Sequence, residues 1–433
     1  MARSNLISLI LVILIVSIPT LGEAKWSLKP RLTIGAEYDD NIFLTETNEQ
    51  DDLFTTISPG VELMYETPTE FIDLDYEFRR YLYDDFSDLD FSEHRGRVMA
   101  RKDFGPRFSV GVMDYLLFSE DPIELTGISE FETPSIRIGA RNRYTRNIVE
   151  PDVTFRLDEN RWIRVGYRNQ ILRNDVDDVA DLDENAINAL LSYRFTIRAG
   201  AEVFYAHFDR NYEQTVPPEP PRDNTEDVIR GRYTLYFDPK TSGFLQYQYR
   251  HIDFDRETQA FIDYDVHEPS LGFARDLREN VSLTAQAGYG ARDADRGEDK
   301  DRFFAVGDLL ATYDRLSLSL HGETGLGEDL TSAESLGFNE FWRFGLDGSY
   351  QVLERLWVEG FFYIDRDRFT DIRRRDTYYN ARGRLRYEFL RWLSLSFGYE
   401  YNERDSNRPN SSYKDNRFFG RVTGFYDLAE RYQ

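Results

Sequence analysis

Residues 379–401 read YNARGRLRYEFLRWLSLSFGYEY. Before Leu390, the residues Tyr379, Ala381, Gly383, Leu385, Tyr387 and Phe389 fall on one parity, and Asn380, Arg382, Arg384, Arg386 and Glu388 on the other. After it, Leu393, Leu395, Phe397, Tyr399 and Tyr401 alternate with Ser394, Ser396, Gly398 and Glu400. Side chains of a strand alternate between the two faces of its sheet. The stretch is therefore two strands joined by a tight turn, with one face apolar and rich in aromatics and the other polar and charged. A helix would need a period of 3.6, which is absent. Apolar outside and polar inside is the pattern of a hairpin in a transmembrane β-barrel.

The pattern returns along the chain. Ile72, Leu74, Tyr76 and Phe78 oppose Asp73, Asp75, Glu77 and Arg79; Ile229, Tyr233, Leu235 and Phe237 oppose Arg230, Arg232 and Thr234. Turn centres fall at Pro68, Gly105, Glu159, Thr196, Pro239, Leu277, Arg315, Leu353 and Leu390, at intervals of 37, 54, 37, 43, 38, 38, 38 and 37. Such a unit holds two strands of about ten residues, a short turn and a long loop. Short turns belong to the periplasmic side and long loops to the cell exterior. Nine tight turns with both termini on one side predict ten strand pairs. The predicted fold is all-β: an up-and-down antiparallel transmembrane barrel of about 20 strands, within 18–22, over residues 25–433. The interval of 54 contains either an oversized outer loop over 119–145 or an extra hairpin. A propeller repeat is of similar length, but a blade needs four short strands where only two long ones fit here.

Composition agrees. Hydrophobic residues make up 41% and charged ones 30%, too polar for a helical bundle, while the 15% aromatic content suits girdles at the two membrane interfaces. Residues 1–24 read as a cleaved signal peptide: Arg3, an apolar run from Leu6 to Ile18, Pro19, then Gly22-Glu23-Ala24 before the cut. That predicts export to a Gram-negative outer membrane, with its lipid, lipopolysaccharide and barrel-insertion machinery as partners. There is no Cys, so disulfides, thiol chemistry and a lipoprotein anchor are excluded. The net charge of −25 argues against nucleic acid.

Chemistry is sparsely marked. His94, His207, His251, His267 and His321 are scattered without metal-ligand spacing, so no catalytic residue, metal or cofactor is assigned. Asp293–Asp299 and Asp175–Asp178 lack the full ligand run of a calcium loop and read as solvated acidic loops. The sharpest clue is a ladder of same-face arginines, Arg382, Arg384 and Arg386, with a second pair, Arg230 and Arg232. Facing lipid, each would cost about 2–4 kcal/mol at the midplane, so they are predicted to line the lumen opposite Asp73, Asp75, Glu77 and Glu400. They either set selectivity in a wet channel or pair with the acids and fill it.

The opening of the chain resembles a known group. Gly35-Ala-Glu-Tyr-Asp-Asp-Asn-Ile-Phe43, Ser58-Pro-Gly-Val-Glu-Leu63 and Asp75-Tyr-Glu-Phe-Arg-Arg-Tyr81 are similar to the start of outer-membrane β-barrel porins associated with exopolysaccharide or PEP-CTERM systems. The similarity is sharpest over residues 31–83 and beyond them is one of hairpin pattern along the whole chain. It implies passage or anchoring of polysaccharide at the cell surface, with polysaccharide-export components as partners, and carries over no catalytic residues. One departure is the C-terminal Tyr432-Gln433 in place of an aromatic end, with a last strand predicted over Arg417–Asp427. The expected function is a porin-like channel, not an enzyme. The alternatives are a non-conducting barrel that holds surface polymer and a barrel hydrolase acting on lipid or polysaccharide.

Overall fold

The computed structural model describes residues 24–428, apart from 121–122, 127–134, 139–141, 177–178, 214–221, 259–260, 297–298, 329, 331–336 and 371. The leader read over 1–24 lies outside them, Ala24 excepted. The strands are β1 (Lys25–Asp39), β2 (Asp52–Glu66), β3 (Glu70–Tyr83), β4 (Phe91–Asp103), β5 (Phe108–Ser119), β6 (Ile123–Thr126), β7 (Ser135–Ile138), β8 (Tyr144–Asp158), β9 (Arg161–Asn174), β10 (Asp181–Thr196) and β11 (Ala199–Glu213). They continue as β12 (Asn224–Asp238), β13 (Thr241–Phe254), β14 (Tyr264–Arg278), β15 (Val281–Ala294), β16 (Lys300–Tyr313), β17 (Leu316–Gly327), β18 (Asn339–Leu353), β19 (Leu356–Phe369), β20 (Arg375–Leu390), β21 (Leu393–Ser406) and β22 (Tyr413–Phe425).

Twenty of these form one closed antiparallel barrel. Each pairs with its chain neighbour, β5 pairs directly with β8, and β1 closes the ring against β22. β6 and β7 pair only with each other. The long interval thus holds a separate small hairpin and adds no strand to the barrel. The last strand begins earlier than Arg417, because Tyr413 to Asn416 pair with Arg404 to Tyr401 of β21. It ends at Phe425, after which Tyr426 and Leu428 still donate to the carbonyls of Pro30 and Leu28.

Several turns lie beyond their predicted centres, at Ile197-Arg198, Glu279-Asn280, Glu354-Arg355 and Arg391-Trp392. The cause is a recurring β-bulge just before the turn, which adds Leu157, Phe195, Phe237, Leu277, Val352 and Phe389 to the descending strands. A bulge re-aims its side chain. All six are exposed apolar residues, and together they form a girdle at the periplasmic rim.

A second girdle marks the extracellular boundary. Tyr38, Tyr76, Tyr167, Tyr205, Tyr249, Tyr289 and Tyr399 lie on ascending strands. Their hydroxyls bond Asp51, just before β2, and His94, Asn185, Asp227, Asp265, Asp301 and Asn416 of the following strands. In every case the partner lies two residues above the tyrosine's register partner. Each ring can sit among acyl chains while its hydroxyl is satisfied at headgroup level. Between the girdles the outward parity is apolar, as with Leu245, Val358, Leu385 and Phe397.

Candidate functional site

The inward parity builds the lumen. On β20, Arg382, Arg384 and Arg386 share it with Asn380, while Leu385 and Tyr387 face out. Glu359, the register partner of Arg384 on β19, receives both Arg384 and, at 3.1 Å, Arg386. Arg386 also donates to Glu388 at 2.8 Å and lies 4.4 Å from the centroid of Trp357. Arg382 is exposed inside the barrel, over the Phe361 ring, and has no ion-pair partner among the described residues. On β12, Arg232 donates twice to Gln246, at 2.9 and 2.7 Å, and covers Phe244; Arg230 covers Phe204.

The inward acids of β3 are engaged locally. Asp75 takes Arg31 in a bidentate pair at 2.7 and 2.8 Å, Glu77 takes Arg79 at 2.7 Å, and Asp73 takes Arg97 at 3.3 Å. Glu400 is the register partner of Arg382 but accepts from Asn380 at 3.0 Å. Asp73, Asp75 and Glu77 therefore do not meet the arginine ladders. The carboxylate that does is Glu359. Sequence reading passed over it because its parity matters only once β19 is set beside β20.

Burial divides the lumen along its axis. Toward the periplasm, inward Arg97, Arg101, Asp308, Asp347 and Arg382 are exposed. Toward the cell exterior most inward charges are buried and paired, although Arg95, 3.5 Å from Glu93, keeps its side chain half exposed. Across β9 to β13 runs a chain of alternating charge: Arg168 to Glu184 at 3.3 Å, Glu184 to Arg210 at 2.6 Å, Arg210 to Glu226 at 2.8 Å and Glu226 to Arg250 at 3.3 Å. Arg343 with Asp365, Arg404 with Asp376, and Arg417 with Asp39 extend the pairing round the wall. Charges removed from water persist only when paired in this way.

Apolar clusters complete the closure. Ile252, Phe254, Phe261, Tyr264, Val266, Leu326, Leu330 and Phe338 pack together, with Arg292 between the rings of Tyr264 and Phe338. Two hydroxyls tie residues just after β17 to distant strands: Tyr212 donates to the Leu330 carbonyl, and Tyr264 to Glu328 at 2.9 Å. Ile42 from the first outer connection packs on Phe54, Tyr81, Tyr83 and Phe91.

The sheet also assembles histidines that are far apart in sequence. His207, Asp227, His251 and Asp265 are successive register partners on the outer face. His207 Nδ1 meets Asp227 at 3.0 Å, and His251 Nδ1 meets Asp265 at 2.9 Å. A His–Asp pair is two-thirds of a hydrolytic triad. The oxygen sharing each carboxylate is a tyrosine hydroxyl, and among the described residues no Ser or Thr hydroxyl bonds either imidazole. In the lumen, His321 meets Asp308 at 2.7 Å.

Comparison with known proteins adds the family and the fold. Residues 329–424, which include β18 to β21 and most of β22, match the model of the family described as "Putative beta-barrel porin 2". An outer-membrane porin family is thus met at the opposite end of the chain from residues 31–83. No curated protein matches at a significant level. Among solved structures, the siderophore receptor PirA from Pseudomonas aeruginosa is 10% identical with a TM-score of 0.52, covering 92% of this chain and 80% of that one. The FrpB iron transporter from Neisseria meningitidis is 9% identical with a TM-score of 0.51, covering 93% and 81%. The copper transporter OprC is 10% identical with a TM-score of 0.51, covering 94% and 81%. At such identity the likeness is one of fold: the chain has the architecture of outer-membrane transport barrels.

Proposed function

We propose that this barrel is an outer-membrane channel for an acidic, hydroxyl-rich polymer such as an exopolysaccharide, open to the periplasm and closed at the cell surface in this conformation. The observation that carries the reading is the division of the lumen into a wet periplasmic half and a dry extracellular half. Guanidinium groups (Arg230, Arg232, Arg382) and the ring faces of Phe204 and Phe361 suit such a chain. Arginine recognises carboxylates in charge-assisted bonds, and the rings offer apolar faces. Export components would then deliver the polymer at the periplasmic rim, with lipopolysaccharide surrounding the outer girdle. The buried extracellular half also favours a second reading, a non-conducting barrel whose loops hold surface polymer.

Planar-bilayer recording separates the two. Wild-type protein should conduct rarely. The double variant Tyr212→Phe/Tyr264→Phe, which removes the hydroxyl ties to Leu330 and Glu328, should open more often. Replacing Arg382, Arg384 and Arg386 by Ser in that background should move the reversal potential toward cations. Silence in every variant would select the closed barrel, and a wide steady current in wild type would refute the sealed mouth.

A further inference from the structure

We propose that the seam where β22 closes on β1 holds a divalent cation, Ca2+ by the chemistry of its donors, between Asp39, Asp40 and Asp415. One carboxylate oxygen from each lies within 4.8 Å of the others. Three carboxylates there face one guanidinium, Arg417, at 3.1 Å from Asp39 and 2.9 Å from Asp415. With all three carboxyls ionised the cluster carries −3 + 1 = −2, which a divalent ion cancels. Asp39 and Asp415 are 2% and 0% exposed, so water does not screen that excess.

A second observation points to a ligand. Asp415 commits Oδ2 to Asn402 at 3.0 Å and to Arg417, whereas its Oδ1 is buried with no hydrogen-bond partner. An unpaired carboxylate oxygen in a dry place is costly. A cation bound to it removes that cost.

The surroundings hold the three acids in place. Asp40 accepts the backbone and side-chain amides of Asn416, both at 2.7 Å. Asn41 donates its backbone N–H to Asp39 at 2.8 Å and its side chain to the carbonyls of Thr45 and Lys414 at 2.9 and 2.8 Å. All the donors are hard oxygens, with no imidazole or sulfur, which excludes the softer transition metals. Irregular carboxylates with room for carbonyls and water suit Ca2+ better than octahedral Mg2+. The ion would join the first and last strands of the barrel. The second acidic group, Glu257, Asp263 and Asp295, has the same ratio of three acids to one guanidinium, Arg296 at 3.1 Å from Glu257, but with Asp295 and Arg296 exposed to screening water it serves as a control.

The test uses full-length protein in detergent micelles. Tb3+, whose luminescence nearby tyrosines sensitise, should bind one site displaceable by Ca2+ at roughly millimolar concentration or below. Ca2+ should raise, and EDTA lower, the temperature at which heat-modified gel migration is lost. D415N and D39N should weaken Tb3+ binding about tenfold or more and abolish the Ca2+ effect, whereas D295N should leave both intact. If D415N does not fold, D40N, at a half-buried position, takes its place. Equal melting in Ca2+ and EDTA, or a Ca2+ response that survives in D415N or D40N, overturns the proposal. A stabilising D415N with no wild-type Ca2+ response also overturns it, in favour of a proton shared by Asp39 and Asp415.

Discussion

Glu184→Gln and Glu359→Gln make the same chemical change in the two halves of the lumen, and they should differ sharply in cost. Glu184 is 0% exposed and neutralises Arg210 and Arg168, themselves 4% and 1% exposed. Gln keeps the volume and one acceptor, so what is lost is charge. The run from Arg168 to Arg250 goes from three guanidiniums and two carboxylates to three and one. Removing one partner of a buried pair costs about 3–5 kcal/mol, and the retained acceptor places Glu184→Gln near ~3. Glu359 faces Arg384 and Arg386, whose side chains are 40% and 31% exposed. Solvent-screened pairs are worth about 0.2–1 kcal/mol. The gap of ~2 kcal/mol is a factor of about 30 in the unfolding constant. Urea unfolding in lipid vesicles, followed by tryptophan fluorescence and gel migration, measures both. Equal losses, or a larger loss at Glu359, would show that water reaches the extracellular half and would remove the basis for a sealed mouth.

Leu385→Arg, on the outward face between the girdles, should cost about 2–4 kcal/mol and reduce outer-membrane accumulation, while Arg384→Leu on the inward face should accumulate normally; the reverse order would invert the assignment of faces. Asn41→Ala leaves the Lys414 carbonyl and the Thr45 amide without their partner and should destabilise the barrel by about 2–3 kcal/mol, read as earlier loss of heat-modified migration; no change would deny the motif a structural role. Burial, with Asp253, Glu257 and Asp295 close by, holds the Asp263 carboxyl above the usual carboxylate range. The folded state then binds a proton that the unfolded state releases, so stability should fall as pH rises from about 3.9 through the folded value; Asp263→Asn should flatten that slope, and a slope unchanged in the variant counts against it.

Strand parity made the architecture readable. A stretch such as Tyr379–Tyr401 has only one way to satisfy both lipid and lumen, so the count of about 20 strands follows from alternation. The turn positions slipped because the residues added by bulges, Phe389 and Leu277 among them, are apolar and continue the look of a strand. The partners escaped for another reason. Glu359 and Arg384, His207 and Asp227, or Asp39 and Asp415 meet only through register between strands, which no periodicity along one strand encodes. The Asp-Asp-Asn-Ile-Phe run could be recognised as a resemblance. Its work at the seam became visible only with Asn416 and Lys414 beside it.

The net charge of −25 conceals an uneven distribution. Acids crowd the outer connections, as at Asp84, Asp85, Asp88 and Asp90, whereas arginines concentrate on the inward parity, where lipid cannot oppose them. On the proposed reading this has a direction. An anionic chain entering from the periplasm meets Arg101, Arg97 and Arg382 in water, where attraction is screened and weak enough to release it. Further out it meets a dry zone in which each guanidinium already has its carboxylate, so passage requires those pairs to exchange partners. Beyond the mouth the acidic loops repel it. Attraction inside and repulsion outside favour release at the cell surface over return. The same loops would repel one another beside anionic lipopolysaccharide unless cations neutralise them, which gives a Ca2+ at the seam a second reason to bind where β1 and β22 meet.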